Sequence, residues 1–206
     1  MRPSTIDIDV ADESTTGFDT GLTGAGPFTP AVTTPTDSLA HQVSLTSGQN
    51  LSAITLTLTG TDPDGKAQTE DVTGPNANTV ESTKYFLTLT TITASSTLGA
   101  NTLDAGWVDE VMSATFPIDR MSPYAANLLV DITGTINFTV QEAWSNIYDS
   151  NTPSQSSAWV NITALASKTA DTGSVASEGV SAIRILTNSY STGAELQLYV
   201  NQATDH

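Results

Sequence analysis

Histidine and cysteine, the residues that most often carry catalysis or bind metals, are almost absent from this chain. There is no cysteine, and the two histidines are His41 and His206. The absence of cysteine excludes a thiolate nucleophile, a disulfide and a thiolate metal site. Two histidines also make a multi-histidine metal centre very unfavourable as an interpretation. A Ser-His-Asp triad would have to use His41, but no Gly-x-Ser-x-Gly motif accompanies it. We expect His41 to be a surface or edge residue, and we expect the chain not to be an enzyme.

Carboxylates are abundant, with 22 Asp and Glu residues, but no pair stands out as the acid and base of a glycoside hydrolase. The run Asp62-Pro63-Asp64-Gly65-Lys66 lacks the alternating ligands and the distal Glu of a calcium loop. Because Pro presets φ and Gly accepts positive φ, this run predicts a hairpin turn. The acidic residues from Asp7 to Glu13 could bind a cation weakly, but a solvated segment is the better interpretation. No catalytic residue, metal ligand or cofactor is predicted.

The three tryptophans could serve either a binding site or the core. Trp107, Trp144 and Trp159 could stack on sugar rings, as aromatic side chains do in carbohydrate-binding proteins. The alternative is that they are core residues, because a large ring buries much apolar area. We favour the core, with Trp144 as the exception because it borders the polar segment from Ser145 to Ser157.

The net charge narrows the possible partners. Six Lys and Arg against 22 Asp and Glu give a formal charge of −16. Binding to a nucleic-acid backbone requires a basic surface, so nucleic acid is not an expected partner. The apolar runs are far too short to span a bilayer, and the start of the chain has no apolar signal segment. We therefore expect no membrane partner, folding in a cytoplasm, and partners with basic surfaces or none.

The elements that would position any site are strands. The chain has 35 threonines, and Thr favours half-exposed strand positions. Apolar residues alternate with polar ones over 54–58, 85–89, 130–140 and 196–200, which is the period of a strand with one buried face. Gly134 within 130–140 predicts a bend or bulge. The prediction is an all-β fold with two antiparallel sandwich-like or barrel-like units, at 38–119 and 120–206. A boundary is expected near Arg120 to Pro123.

Residues 1–37 read as an extended N-terminal arm, rich in Asp, Gly and Pro. Phe18, Leu22 and Phe28 are the large apolar residues that stand singly in this arm. They are the predicted partner-contacting residues, and we expect them to lie outside the core of their own domain. A disordered tail is the alternative interpretation.

Two segments resemble virion proteins of tailed bacteriophages. The first, 54–85, contains Gly60-Thr61-Asp62-Pro63-Asp64-Gly65, then Thr73-Gly74-Pro75-Asn76-Ala77, then Ser82-Thr83-Lys84-Tyr85. The second consists of 130–141, which ends in Thr139-Val140-Gln141, together with Ala182-Ile183-Arg184 and 196–202. It resembles a β module in which a Thr-Val-Gln strand, a Trp-containing strand and an Ala-Ile-Arg strand recur. Together these segments cover about two thirds of residues 50–206, and the arm lies outside them.

The resemblance implies a non-enzymatic virion structural protein, most similar to a capsid decoration (cement) protein. It implies the major capsid protein as partner, self-association as a homotrimer, synthesis in the host cytoplasm and a position on the capsid exterior. Two alternatives stay open. One is a head–tail or tail accessory protein, and the other is a carbohydrate-binding adhesin or receptor-binding domain whose tryptophans line a groove.

Overall fold

The computed structural model describes residues 4–119, 125–144 and 158–202, and these residues are almost entirely in strands and turns. The all-β prediction is confirmed, and the strands pair in antiparallel sheets. The chain divides into two compact units. The first unit is Ala11–Asp109, and the second unit combines Met1–Val10 with Glu110–His206.

The first unit is built from two groups of strands. Its strands are β2 (Ser14–Leu22), β3 (Ala40–Thr46), β4 (Thr55–Thr61), β5 (Ala67–Thr73), β6 (Thr79–Phe86), β7 (Thr88–Ala94) and most of β8 (Leu103–Met112). β4 lies between β5 and β7, whereas β3 lies between β6 and β8, and β2 also pairs with β8. Alternation in β4 turns Leu56 and Leu58 into the core, whereas its threonines are half-buried or exposed.

The predicted hairpin turn joins β4 to β5. The Asp62 carboxylate accepts the backbone N–H groups of Asp64 at 2.9 Å and Lys66 at 2.8 Å. Gly65 has a φ of 76°, which a residue with a Cβ rarely adopts. The turn prediction is confirmed, and the Asp62 oxygen that could have faced a cation instead holds the backbone of the turn.

The alternation over 85–89 belongs to two strands and not to one. β6 ends at Phe86 and pairs with β3, whereas β7 begins at Thr88 and pairs with β4. At the junction, the Leu87 N–H donates to the Thr61 carbonyl at 2.9 Å. The change of sheet buries Phe86 and Leu89 and leaves Tyr85 and Leu87 half-buried. A period-two pattern cannot reveal such a switch, because each short strand satisfies it separately.

The second unit contains a four-stranded sheet and a second group of strands. Its strands are β1 (Ser4–Asp9), β9 (Phe116–Pro117), β10 (Asn127–Thr133), β11 (Ile136–Ala143), β12 (Val160–Asn161), β13 (Thr172–Val175), β14 (Ala182–Tyr190) and β15 (Glu195–Asn201). The four-stranded sheet has the order β1-β15-β10-β13. In the other group, β11 lies between β12 and β14, and β14 also pairs with β9 and with Met112 at the end of β8.

Burial in the second unit follows the predicted period. Val130, Phe138, Val140, Leu196 and Leu198 are fully buried, while Ile132 is half-buried. The bend expected at Gly134 falls between β10 and β11, where Gly134 has a φ of 82°. The predicted strand over 130–140 is thus a pair of strands joined by a tight turn.

The units begin and end at other residues than the sequence suggests. Ser4–Asp9 pairs along its whole length with β15, so it belongs to the second unit. Residues 11–37 belong to the first unit, and the division falls between Asp109 and Glu110. The expected divisions were at 37/38 and 119/120. The segment Arg120 to Pro123 and the predicted loop from Ser145 to Ser157 lie outside the described residues.

Candidate interaction surface

The three predicted partner-contacting residues lie within the first unit. Phe18 is fully buried, Phe28 is buried, and Leu22 is half-buried against the same apolar core. Phe18 packs edge-to-face on Trp107, with ring centroids 5.1 Å apart. The expectation that these residues lie outside their own core is therefore wrong.

Backbone pairing explains why Phe18 and Phe28 are buried in the first unit. Phe28 exchanges two backbone hydrogen bonds with Ile92, at 2.8 and 3.0 Å, and the Val32 N–H donates to the Phe18 carbonyl at 2.9 Å. These bonds satisfy the extended Pro-rich backbone inside the unit. Scattered apolar residues can then enter a core that distant strands supply.

His41 is a buried residue and not a surface or edge residue as expected. Its ring is inaccessible to solvent, with Nδ1 2.5 Å from the Val108 carbonyl oxygen and Nε2 2.8 Å from Asp37 Oδ2. Both neighbours carry acceptor oxygens, so the His41 ring is engaged through both nitrogens, and its contact with Asp37 is an ion pair whenever the ring is protonated. A catalytic base needs a free lone pair, which neither nitrogen offers in this arrangement.

Asp37 connects three parts of the first unit. Its carboxylate accepts the N–H of Ala11 at 2.7 Å and of Leu39 at 2.9 Å, in addition to the His41 contact. Burial on its own raises the pKa of Asp37, but the hydrogen bonds from His41, Ala11 and Leu39 together hold this pKa below its ordinary value. The arrangement is a structural ion pair.

Two of the tryptophans are at least partly buried and the third, Trp144, is exposed, as the sequence suggested. Trp107 is buried in the core of the first unit, and its indole N–H donates to the Asp12 carbonyl at 3.0 Å. Trp159 is half-buried, with the Arg184 guanidinium 4.2 Å from its ring centroid. Trp144 is 44% exposed, which confirms it as the exception.

Among the described residues, the two most exposed of the large apolar side chains, Leu129 and Val175, lie on the four-stranded sheet of the second unit. In this sheet Leu128, Val130, Leu196, Leu198 and Ile8 are buried on one side. The other side, here the outer face, consists of Thr5, Asp7, Asp9, Asn127, Leu129, Asp131, Thr133, Gly173, Val175, Glu195, Gln197, Tyr199 and Asn201.

The outer face has an apolar end. Leu129 is 54% exposed and Val175 is 53% exposed. Tyr199 lies directly opposite Leu129 in the strand register, and its hydroxyl donates to Gln197 Oε1 at 2.6 Å. Leu128, Leu129 and Tyr199, together with Asn127 and Asn201, line a groove of about 350 Å³. A groove with aliphatic and aromatic walls and amides at one end can hold an apolar side chain.

The other end of the outer face is acidic. Asp9 lies opposite Glu195, and Asp7 and Asp131 flank Gln197 from the two neighbouring strands. All four carboxylates are on exposed residues. None of the four strands carries a Lys or Arg. Like charges opposite each other in a sheet are destabilising, so these residues are not placed here for the stability of the sheet.

The sequence reasoning missed Leu129 and Val175. The signal for Leu129 was present: Leu128-Leu129-Val130 places three apolar residues in succession, so one of them must leave the buried side of the strand. Val175 carries no such signal, because its strand Thr172–Val175 is only four residues long.

Comparison with known protein families, curated proteins and solved structures found no match. Among residues 4–119, 125–144 and 158–202, no helix has the length and apolar composition needed to cross a membrane. Within those same ranges, no group of three or more His, Cys, Asp or Glu side chains is arranged to hold a metal ion.

Proposed function

We propose that this chain is a non-enzymatic structural protein of a tailed-phage virion that binds the outside of the capsid as a decoration protein. The observation that carries the proposal is the outer face of the second unit, which exposes Leu129 and Val175 beside four carboxylates. Exposed apolar residues rimmed by polar ones are typical of protein-binding surfaces. The sequence resemblance to phage virion proteins supplies the kind of partner, the major capsid protein.

The acidic composition supports an exterior position. A formal charge of −16 repels the packaged genome and is compatible with a surface that faces solvent. Four strands of at most seven residues, about 5 Å apart, give the outer face an area of about 400 Å², less than the roughly 800 Å² per partner of a stable interface. We therefore propose that a homotrimer presents three such faces to the capsid, because simultaneous contacts raise the effective concentration of each one.

The copy number in phage particles tests this proposal. The measurement is quantitative mass spectrometry of purified particles whose genome encodes the chain, with the major capsid protein as internal standard. Copies in the hundreds support decoration. A single ring of copies supports the head–tail or tail alternative, and absence from the particles refutes a virion role.

Trp144 favours a second candidate function, the binding of a glycan by an adhesin or receptor-binding domain. Its side chain is 44% exposed, and exposed indole rings can stack on sugar rings. A glycan array probed with the full chain and with Trp144→Ala tests this. Binding that the substitution removes would support the adhesin, whereas no glycan binding by either protein would exclude it.

A further inference from the structure

We infer that the outer face recognises a protein surface that presents Lys or Arg side chains next to a protruding apolar side chain, and that it does not bind a second copy of this chain. The inference rests on the proposed function, because the capsid would supply this surface. To the proposed function it adds the chemistry of the partner surface and the residues of this chain that recognise that surface.

The two ends of the outer face are close enough for one partner segment to contact both. Leu129 and Asp131 are two residues apart on the same strand and the same side, which separates their Cα atoms by about 7 Å. Tyr199 and Gln197 repeat this step on the neighbouring strand, about 5 Å away. An extended partner segment with an apolar residue and a cation two positions apart matches this spacing.

Charge complementarity identifies the sign of the partner. Asp7, Asp9, Asp131 and Glu195 occupy four of six neighbouring positions in the register, and Gln197 and Thr133 occupy the other two. A cationic partner removes the repulsion within this group. A second copy would bring four more carboxylates against it, so self-association through this face is opposed.

The apolar end requires that the partner is not merely basic. Leu129 and Val175 are each more than half exposed, and Tyr199 lies beside Leu129 on the neighbouring strand. A purely basic surface would leave these side chains in water. The apolar end therefore adds selectivity for a surface with an aliphatic or aromatic protrusion.

Nuclear magnetic resonance of the ¹⁵N-labelled full chain tests the inference with three short peptides. The first, the lysine–leucine peptide, repeats Leu-Ser-Lys-Ser, which places a leucine and a lysine two positions apart on the same side of an extended segment. The second replaces each leucine by serine, and the third replaces each lysine by glutamate. We expect the lysine–leucine peptide to shift resonances of β1, β10, β13 and β15, with affinity about tenfold weaker in high salt than in low salt. We expect the other two peptides to bind at least about tenfold more weakly.

Matched variants locate the binding. We expect Leu129→Ser to weaken lysine–leucine binding at least about fivefold, as should Asp131→Asn. Val160→Ser is the apolar control, because Val160 is 49% exposed in the same unit but lies on β12. Asp71→Asn on β5 is the charge control, and neither control should change the affinity by more than about twofold. Equal effects of test and control variants, or shifts confined to other strands, would overturn the inference.

Two further results separate this inference from the proposed function. If the chain is absent from virions but the lysine–leucine peptide still maps to the outer face, the decoration role fails and the partner chemistry stands. If the chain decorates particles and Leu129→Ser decorates them equally well, the decoration role stands and this face is wrong. A concentration-dependent dimer in sedimentation that Leu129→Ser dissociates would overturn the exclusion of a second copy.

Discussion

Replacing Asp37 by Asn removes the carboxylate that joins three parts of the first unit. In the native chain this carboxylate accepts hydrogen bonds from the backbone of Ala11 and Leu39 and from the ring of His41. The side chains of Asp37 and His41 are 5% and 0% exposed. The variant therefore leaves a buried imidazole without its counter-charge, while the Asn carbonyl can still accept one of the bonds.

The expected loss in the free energy of unfolding is about 2–4 kcal/mol at pH 7. Removing one partner of a buried ion pair lowers the free energy of unfolding by about 3–5 kcal/mol, and the hydrogen bond that Asn can still accept reduces this loss by about 1 kcal/mol. The native contribution also depends on pH. Because the pKa of Asp37 is lower in the folded chain than in the unfolded one, the carboxylate stabilises the fold above about pH 4. This stability is lost as the pH falls through the folded pKa, and Asp37→Asn should lack that part of the acid sensitivity.

Urea titrations at pH 7 and pH 3, followed by the indole N–H resonance of Trp107, measure the effect. This probe belongs to the first unit, where the Trp107 indole donates to Asp12. Asp71→Asn is the control, because Asp71 is exposed on β5, and it should change stability by less than about 1 kcal/mol. A loss below about 1 kcal/mol for Asp37→Asn, or an undiminished difference between the two pH values, would refute the role given to the ion pair.

Three other substitutions test the packing and the turn. Phe138→Ala should destabilise the second unit by about 3–5 kcal/mol in urea titrations, because Phe138 is fully buried, and a loss below about 1 kcal/mol would contradict its core position. Gly60→Ala should cost about 1–3 kcal/mol or prevent folding, since its Cβ would lie 1.8 Å from the Thr88 carbonyl oxygen. Thermal melts of both variants measure this cost. Gly48→Ala is the control and should be close to neutral, because no atom lies within 4 Å of a Cβ at Gly48, and equal melting temperatures of the two variants would contradict the crowding at Gly60. Asp62→Ala should cost about 1–2 kcal/mol by leaving two turn N–H groups without their acceptor, and faster hydrogen exchange at Asp64 and Lys66 is the confirming measurement.

The amino-acid sequence by itself determined the features that depend on near neighbours along the chain. Alternation of apolar and polar residues identified the strands and the buried positions Leu56, Phe138 and Leu196, because the side chains of a strand alternate between two faces. Turn chemistry located the bends at Gly65 and Gly134, because glycine accepts a positive φ without steric cost.

Only the tertiary structure decided the features that depend on partners far away in sequence. Phe18 and Phe28 look isolated among Gly, Pro and Thr, but the strands around Trp107 and Ile92 supply their core. His41 finds the Val108 carbonyl 67 residues away. The outer face is likewise visible only after β1, β15, β10 and β13 are aligned, since register decides which residues of different strands share a side and no local pattern encodes that pairing.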